Sequence, residues 1–168
     1  LFCKDGQMSD QNPIHSYAET IYVEAPPARV WELVTAMDRY GEWSSENEGG
    51  YWRKRENGDI CTGEVGDEFV GVNRRGEHEW KALVEIVERE EGRAFAFVTG
   101  GAANNWIQWG YRLEPKGSGT NLTEHWELRN LPPGMIERGD GEVEMRRANA
   151  IESLGKTLAA MKAAAEVG

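Results

Sequence analysis

In the segment Thr120–Arg129 the alternation of apolar residues, Leu122, Trp126 and Leu128, is interrupted on its own parity by Glu124. Alternate residues of a strand share one face, so this carboxyl is expected among apolar side chains. Loss of hydration penalises its ionised form, raises its pKa and suits it to donate or accept a proton near neutral pH. The same pattern also fits a strand whose parity is shifted by a bulge, or a carboxylate tied to an arginine. Arg147 is the candidate partner, as the one position that is not apolar on a stripe of Val143, Ile151, Leu154, Leu158 and Met161. It is expected either to meet Glu124 inside or to snorkel to water. Tyr111, on the inward parity of Trp106–Glu114, adds a hydroxyl that, like Arg147, suits stabilisation of an enolate oxygen.

Other chemistries find no support. His15, His78 and His125 show no metal-ligand spacing, and Cys3 and Cys61 form no CxxC pair. No Gly-x-Ser-x-Gly, Walker A or dinucleotide fingerprint occurs, and Gly117-Ser118-Gly119 reads as a hairpin turn. No metal and no cofactor are therefore expected.

The elements that must position Glu124 follow from periodicity. Tyr17–Glu24 alternates as a first strand, with Leu1–Ser16 left out of the fold as a tail or expression leader ahead of Met8. Pro27 suits the first turn of a helix carrying Val30, Trp31, Leu33 and Val34, and a second short turn lies around Asp38–Tyr40, stopped by Gly49-Gly50. Strands are expected at 51–55, 66–73, 78–88, 93–99, 106–114 and 120–129, with turns at Asn57-Gly58, Arg74-Arg75-Gly76 and Glu91-Gly92. The chain closes with an amphipathic helix from Asp140, which caps it, to Val167. At 1.5 Å per residue, about 25 residues make a rod of roughly 37 Å. The expected fold is α+β: a curved antiparallel sheet wrapped around this helix, with two short helices after the first strand.

Strand parity places Trp80, Phe95, Phe97, Ile107, Trp109, Tyr111 and Trp126 on the concave face. The helix opposite offers thin residues, Ala148, Ala150, Gly155, Ala159 and Ala160. Large rings facing small residues either interdigitate or enclose a void. Trp43, Phe69, Trp80, Phe97, Trp109, Tyr111 and Trp126 are the expected cavity wall, with Asn73 adding a polar group and Glu46 standing at the mouth. Such a mixture suits a mostly apolar pocket with a few placed polar groups. Trp106, beside Gln108, is expected on the outer face.

At 168 residues and 39% hydrophobic content the chain forms a single domain, 17–168. A net charge of −10 argues against nucleic-acid and anionic-membrane partners. No apolar run is long enough to span a membrane and no export signal is visible, so a cytoplasmic monomer or homodimer is expected.

Four segments carry a resemblance: Ala25-Pro26-Pro27-Ala28-Arg29-Val30-Trp31; Trp43-Ser44-Ser45-Glu46-Asn47; Val65-Gly66 with Phe69 and Asn73-Arg74-Arg75-Gly76; and Tyr111-Arg112-Leu113-Glu114-Pro115 running into Gly119-Thr120-Asn121-Leu122-Thr123-Glu124. Together they resemble the START-like, helix-grip (Bet v 1-like) superfamily, and most of all its actinobacterial polyketide cyclase/dehydrase and lipid transport members. Many relatives have Pro where Ser45 stands. The resemblance implies a seven-stranded sheet gripping the last helix around a hydrophobic cavity. It implies a ligand of aromatic, polyketide-like or lipid-like character, either turned over by cofactor-free cyclisation or dehydration or simply carried or sensed. One fold does not imply one reaction.

Overall fold

The computed structural model describes residues 12–167. The part of the tail ahead of them, Met8 included, lies outside the described residues. Strand β1 (His15–Val23) is followed by helix α1 (Pro27–Thr35) and a 3-10 helix (Met37–Glu42). Six strands come next, β2 (Asn47–Trp52), β3 (Glu68–Arg75), β4 (His78–Glu90), β5 (Ala94–Thr99), β6 (Ile107–Lys116) and β7 (Gly119–Leu128). A short helix α2 (Gly101–Asn104) interrupts them, and α3 (Pro133–Arg138) leads into α4 (Asp140–Glu166). The strands form one antiparallel sheet in the order β1-β7-β6-β5-β4-β3-β2. Every neighbour but one is a chain neighbour, and the first strand closes onto the last. This is the expected helix-grip architecture.

Sequence and structure differ locally, each time for a definable reason. β1 begins at His15, because His15 and Ser16 pair with Leu128 and Glu127. Gly49 and Gly50 do not end an element. They carry β2 through a shift in its register with β3, with φ of 100° and 147°. A Cβ on Gly50 would stand 2.0 Å from the Val70 carbonyl oxygen, so this bulge admits no side chain there. The bulge sets Asn47 opposite Asn73, and their amides are hydrogen bonded at 3.1 Å. α3 forms in what reads as a bridge, with Pro133 in its first turn. Gly139, at φ 82°, occupies the N-cap of α4, so Asp140 is the first helical residue and no side chain caps the helix.

α4 crosses the concave face of the sheet, chiefly against β1 and β7. Its buried residues are Ala150, Ser153, Leu154, Thr157, Leu158, Met161 and Ala165, and none precedes Ala150. Ala148 and Ala159 are exposed. Gly155 looks onto Glu19 of β1 at ordinary contact distance, 3.5 Å from its Cβ position. Those three small residues therefore do not face the cavity. α1 packs on β6, β7 and the C-terminal part of α4, burying Val30, Trp31, Leu33 and Val34. Trp31 sets its ring edge-on to Phe95 at 6.2 Å, and Leu113, Leu122 and Leu128 complete the core. No helix among the described residues is long and apolar enough to cross a membrane.

Candidate functional site

Between α4 and the sheet lies a cavity of about 140 Å³. Its aromatic wall comes from five strands, because inward positions of adjacent strands stand side by side: Phe69 from β3, Trp80 from β4, Phe97 from β5, and Trp109 with its register partner Trp126 from β6 and β7. Of the expected wall residues only Trp43 is absent. It is buried in the core beside Tyr40, with ring centroids 6.5 Å apart, and the Arg39 guanidinium covers its other side.

Glu124 keeps the inward parity. Its side chain is 3% exposed and lines the cavity. Tyr111, directly opposite on β6, donates its hydroxyl hydrogen to Oε1 at 3.2 Å, while Oε2 is buried with no protein partner. Burial pushes the Glu124 carboxyl well above its ordinary range, and the Tyr111 hydrogen bond offsets this only in part. Burial and the neighbouring carboxyl also raise the phenols of Tyr111 and Tyr40. Tyr40, from the 3-10 helix, stands with its ring 6.3 Å from that of Tyr111 and donates to the Val34 carbonyl at 2.5 Å. The bottom of the cavity is thus a carboxyl whose neutral form is favoured by burial, beside two phenols.

Arg147 is exposed and does not meet Glu124. The leucines of α4 define one stripe of the helix, but the stripe that faces the cavity runs through Ala150, Ser153, Thr157 and Met161. Arg146, not Arg147, is in phase with it. The Arg146 guanidinium lies over Trp80, 5.3 Å from the ring centroid, and bonds Glu46 Oε1 at 3.1 Å. The other oxygen of Glu46 accepts from Arg75 at 3.0 Å. Glu46 therefore ties α4 to the β3–β4 hairpin over the mouth of the cavity, and its side chain is 18% exposed there. Asn73 and Asn47 supply the amides on the β3 side.

Hydropathy misses the remaining contributors. Met37 and Tyr40 come from the short 3-10 helix, and Asn149, Ser153 and Thr157 are polar positions on α4. Their three-and-four spacing with Ala150 and Met161 is the signal that identifies them. Trp106 is not on the outer face. It precedes β6, packs so closely on Gly100 that a Cβ there would stand 2.4 Å from its ring, and borders a second hollow of about 250 Å³ beside α3. His125 lies on the convex face as its parity requires. Its Nε2 is buried without a partner, over a Gly110 where any side chain would collide with it. Among the described residues no group of three or more His, Cys, Asp or Glu side chains is arranged to hold a metal ion.

Comparison with known proteins agrees with this geometry. No curated protein matches the chain. The solution structure of the Polyketide_cyc-like protein Cgl2372 from Corynebacterium glutamicum is 31% identical, with 90% of this chain and 91% of that one covered at a TM-score of 0.63. A major latex-like protein from Panax ginseng, 13% identical over 89% of this chain and 95% of its own, has a TM-score of 0.64. A START superfamily protein from Mycobacterium smegmatis, 14% identical over 86% and 94%, has a TM-score of 0.60. Residues 15–166 match the family described as polyketide cyclase / dehydrase and lipid transport, and the chain belongs to that family.

Proposed function

We propose that the protein encloses a hydrophobic, aromatic or polyketide-like small molecule between the sheet and α4, and that Glu124 exchanges a proton with it. One observation carries this reading: a carboxyl 3% exposed, with an unpartnered oxygen, on the wall of an otherwise aromatic cavity. An unpaired buried polar oxygen costs about 1–3 kcal/mol, and a guest carrying a hydroxyl or carbonyl would relieve that cost.

The chemistry it supports is a dehydration or an aldol-type cyclisation without a cofactor. In a dehydration, the Glu124 carboxylate takes the α-proton of a β-hydroxy carbonyl compound and its C–H electron pair becomes an enolate. The acid so formed then hands that proton to the β-hydroxyl as the C–O bond breaks and the C=C bond forms, so water leaves and Glu124 returns to its starting form. The Tyr111 hydroxyl turns from Oε1 to the developing enolate oxygen, where a positioned donor is worth several kcal/mol. The aromatic walls hold a flexible chain in its reactive fold, lowering the entropic part of the barrier.

A non-catalytic carrier or sensor is favoured by a different observation: among the described residues no His or Lys lines the cavity, so beside the Tyr40 and Tyr111 phenols Glu124 is the one carboxyl at its base. E124Q separates the two. An enzyme retains binding and loses turnover, whereas a carrier retains binding and has no turnover to lose. Native mass spectrometry of the protein from its own host, with any co-purified molecule identified, is the direct test of the shared premise. Absence of any bound molecule, together with tryptophan fluorescence that ignores a broad hydrophobic panel, would falsify the cavity reading.

A further inference from the structure

A cavity of about 140 Å³ is close in size to the roughly 150 Å³ engineered cavities that take up one benzene ring. Any larger guest has to extend beyond it. The hollow of about 250 Å³ beside α3 shares Trp80, Ala82, Thr99, Ile107 and Arg146 with the inner cavity, so the two compartments adjoin along one wall and Arg146 stands at their junction.

Their electrostatics differ. The inner compartment ends on the buried Glu124 carboxyl. The outer one is bordered by apolar residues, Trp106, Pro132 and Met135 among them, and by the cations Arg138 and Arg146, with no acidic residue on its wall. Lys81 also borders it but turns its ammonium away, over the ring of Tyr51. Arg138, the last residue of α3, is held by Glu142 in the first turn of α4 at 3.1 Å. At the junction a single carboxylate, Glu46, serves two guanidiniums, Arg75 and Arg146. Arg75 also lies close enough to Glu152 to lower its pKa, whereas among the described residues the ion pair of Arg146 is made with Glu46 alone.

Resting on the cavity reading above, we infer that the ligand is an amphipathic anion. Its apolar body occupies the inner compartment, and its oxyanion head, a carboxylate or a phosphate, displaces Glu46 from Arg146 and sits in the outer hollow. A planar guanidinium backed by an indole face is suited to such a head, because it presents paired donors and keeps its stacking contact while it changes partner.

The experiment is a titration of the full chain with three probes of equal body, 4-phenylbutyrate, 4-phenylbutyl phosphate and 4-phenylbutanol, followed by tryptophan fluorescence and calorimetry. Both anions are expected to bind about tenfold or more tightly than the alcohol, the scale of a charge-assisted hydrogen bond, and the tighter of them identifies the head group. R146Q brings the anions down to the alcohol's affinity. E46Q, which frees Arg146 from its competitor, tightens the anions several-fold. If the alcohol binds as tightly as the anions and neither variant alters their order, the anion assignment is overturned and the cavity reading stands. If none of the three binds, the cavity reading itself has failed.

Discussion

Tyr111 and Glu124 are register partners on β6 and β7, and the phenol spends its one donor on Oε1 while Oε2 receives nothing from the protein. A carboxyl with a single hydrogen bond and 3% exposure is cheapest in its neutral form, which sets the sign of its pH dependence. Below its ordinary value of 4.5, the folded and unfolded chains both hold the proton. Above it the unfolded chain releases the proton and the folded chain keeps it, so this group lowers stability as pH rises. Measured by urea denaturation from pH 4 to 8, E124Q is expected to gain on the wild type by up to about 1.4 kcal/mol per pH unit until the wild-type carboxyl ionises. Parallel curves would contradict the burial argument.

Y111F takes away the one hydrogen bond that favours the ionised carboxyl. The Glu124 titration, followed through its 13C-labelled carboxyl by NMR, moves to higher pH. Stability falls by about 1 kcal/mol from the lost bond. A shift to lower pH would mean that Tyr111 does not donate to Glu124.

Filling the void tests its role directly. Ser153, 8% exposed on the cavity-facing stripe of α4, points where a guest would lie. S153F occupies most of that space at an overpacking cost of about 1–3 kcal/mol. The variant is expected to remain folded by circular dichroism and to lose the fluorescence response to hydrophobic probes. Unchanged binding would place the ligand elsewhere.

The loop between β2 and β3 depends on a different acid. Asp67 takes two bonds from Arg55, at 2.9 and 2.7 Å, and the backbone N–H groups of Thr62, Gly63 and Glu64 at 2.9–3.1 Å. The Arg55 guanidinium, with these amides, holds its carboxyl far below the usual range. Its contribution is complete above the ordinary value of 3.8 and is lost as pH falls below it. D67N is expected to cost about 2–3 kcal/mol at pH 7 and to show a flatter acid-denaturation limb than the wild type.

The sheet and the inward carboxyl were legible because strands repeat every two residues, so that Glu124 inherits its direction from Leu122 and Trp126. The helix was read less well. Leucines mark the stripe of α4 that packs, whereas the stripe that faces the cavity is built from Ala150, Ser153 and Thr157, which leave little trace in hydropathy; the arginine was consequently misplaced by one residue. Trp43 went to the core, where Tyr40 of the 3-10 helix meets its ring edge-on and the Arg39 guanidinium lies over it. Gly49-Gly50 read as a stop because a bulge and a turn ask for the same residue. α3 was missed, because Pro132-Pro133 reads as a bridge although its fixed φ suits a helix start equally well.

Because α4 buries nothing ahead of Ala150, its two halves answer to different pressures. The rear half is clamped, and a change there endangers the whole architecture. The front half, which carries Arg146 toward the rim, is held by Val143 against the core and by the Arg138–Glu142 and Arg146–Glu46 pairs, and substitutions at its other positions can accumulate at little thermodynamic expense. Divergence of guest preference within this lineage has a ready place to happen without the scaffold being renegotiated.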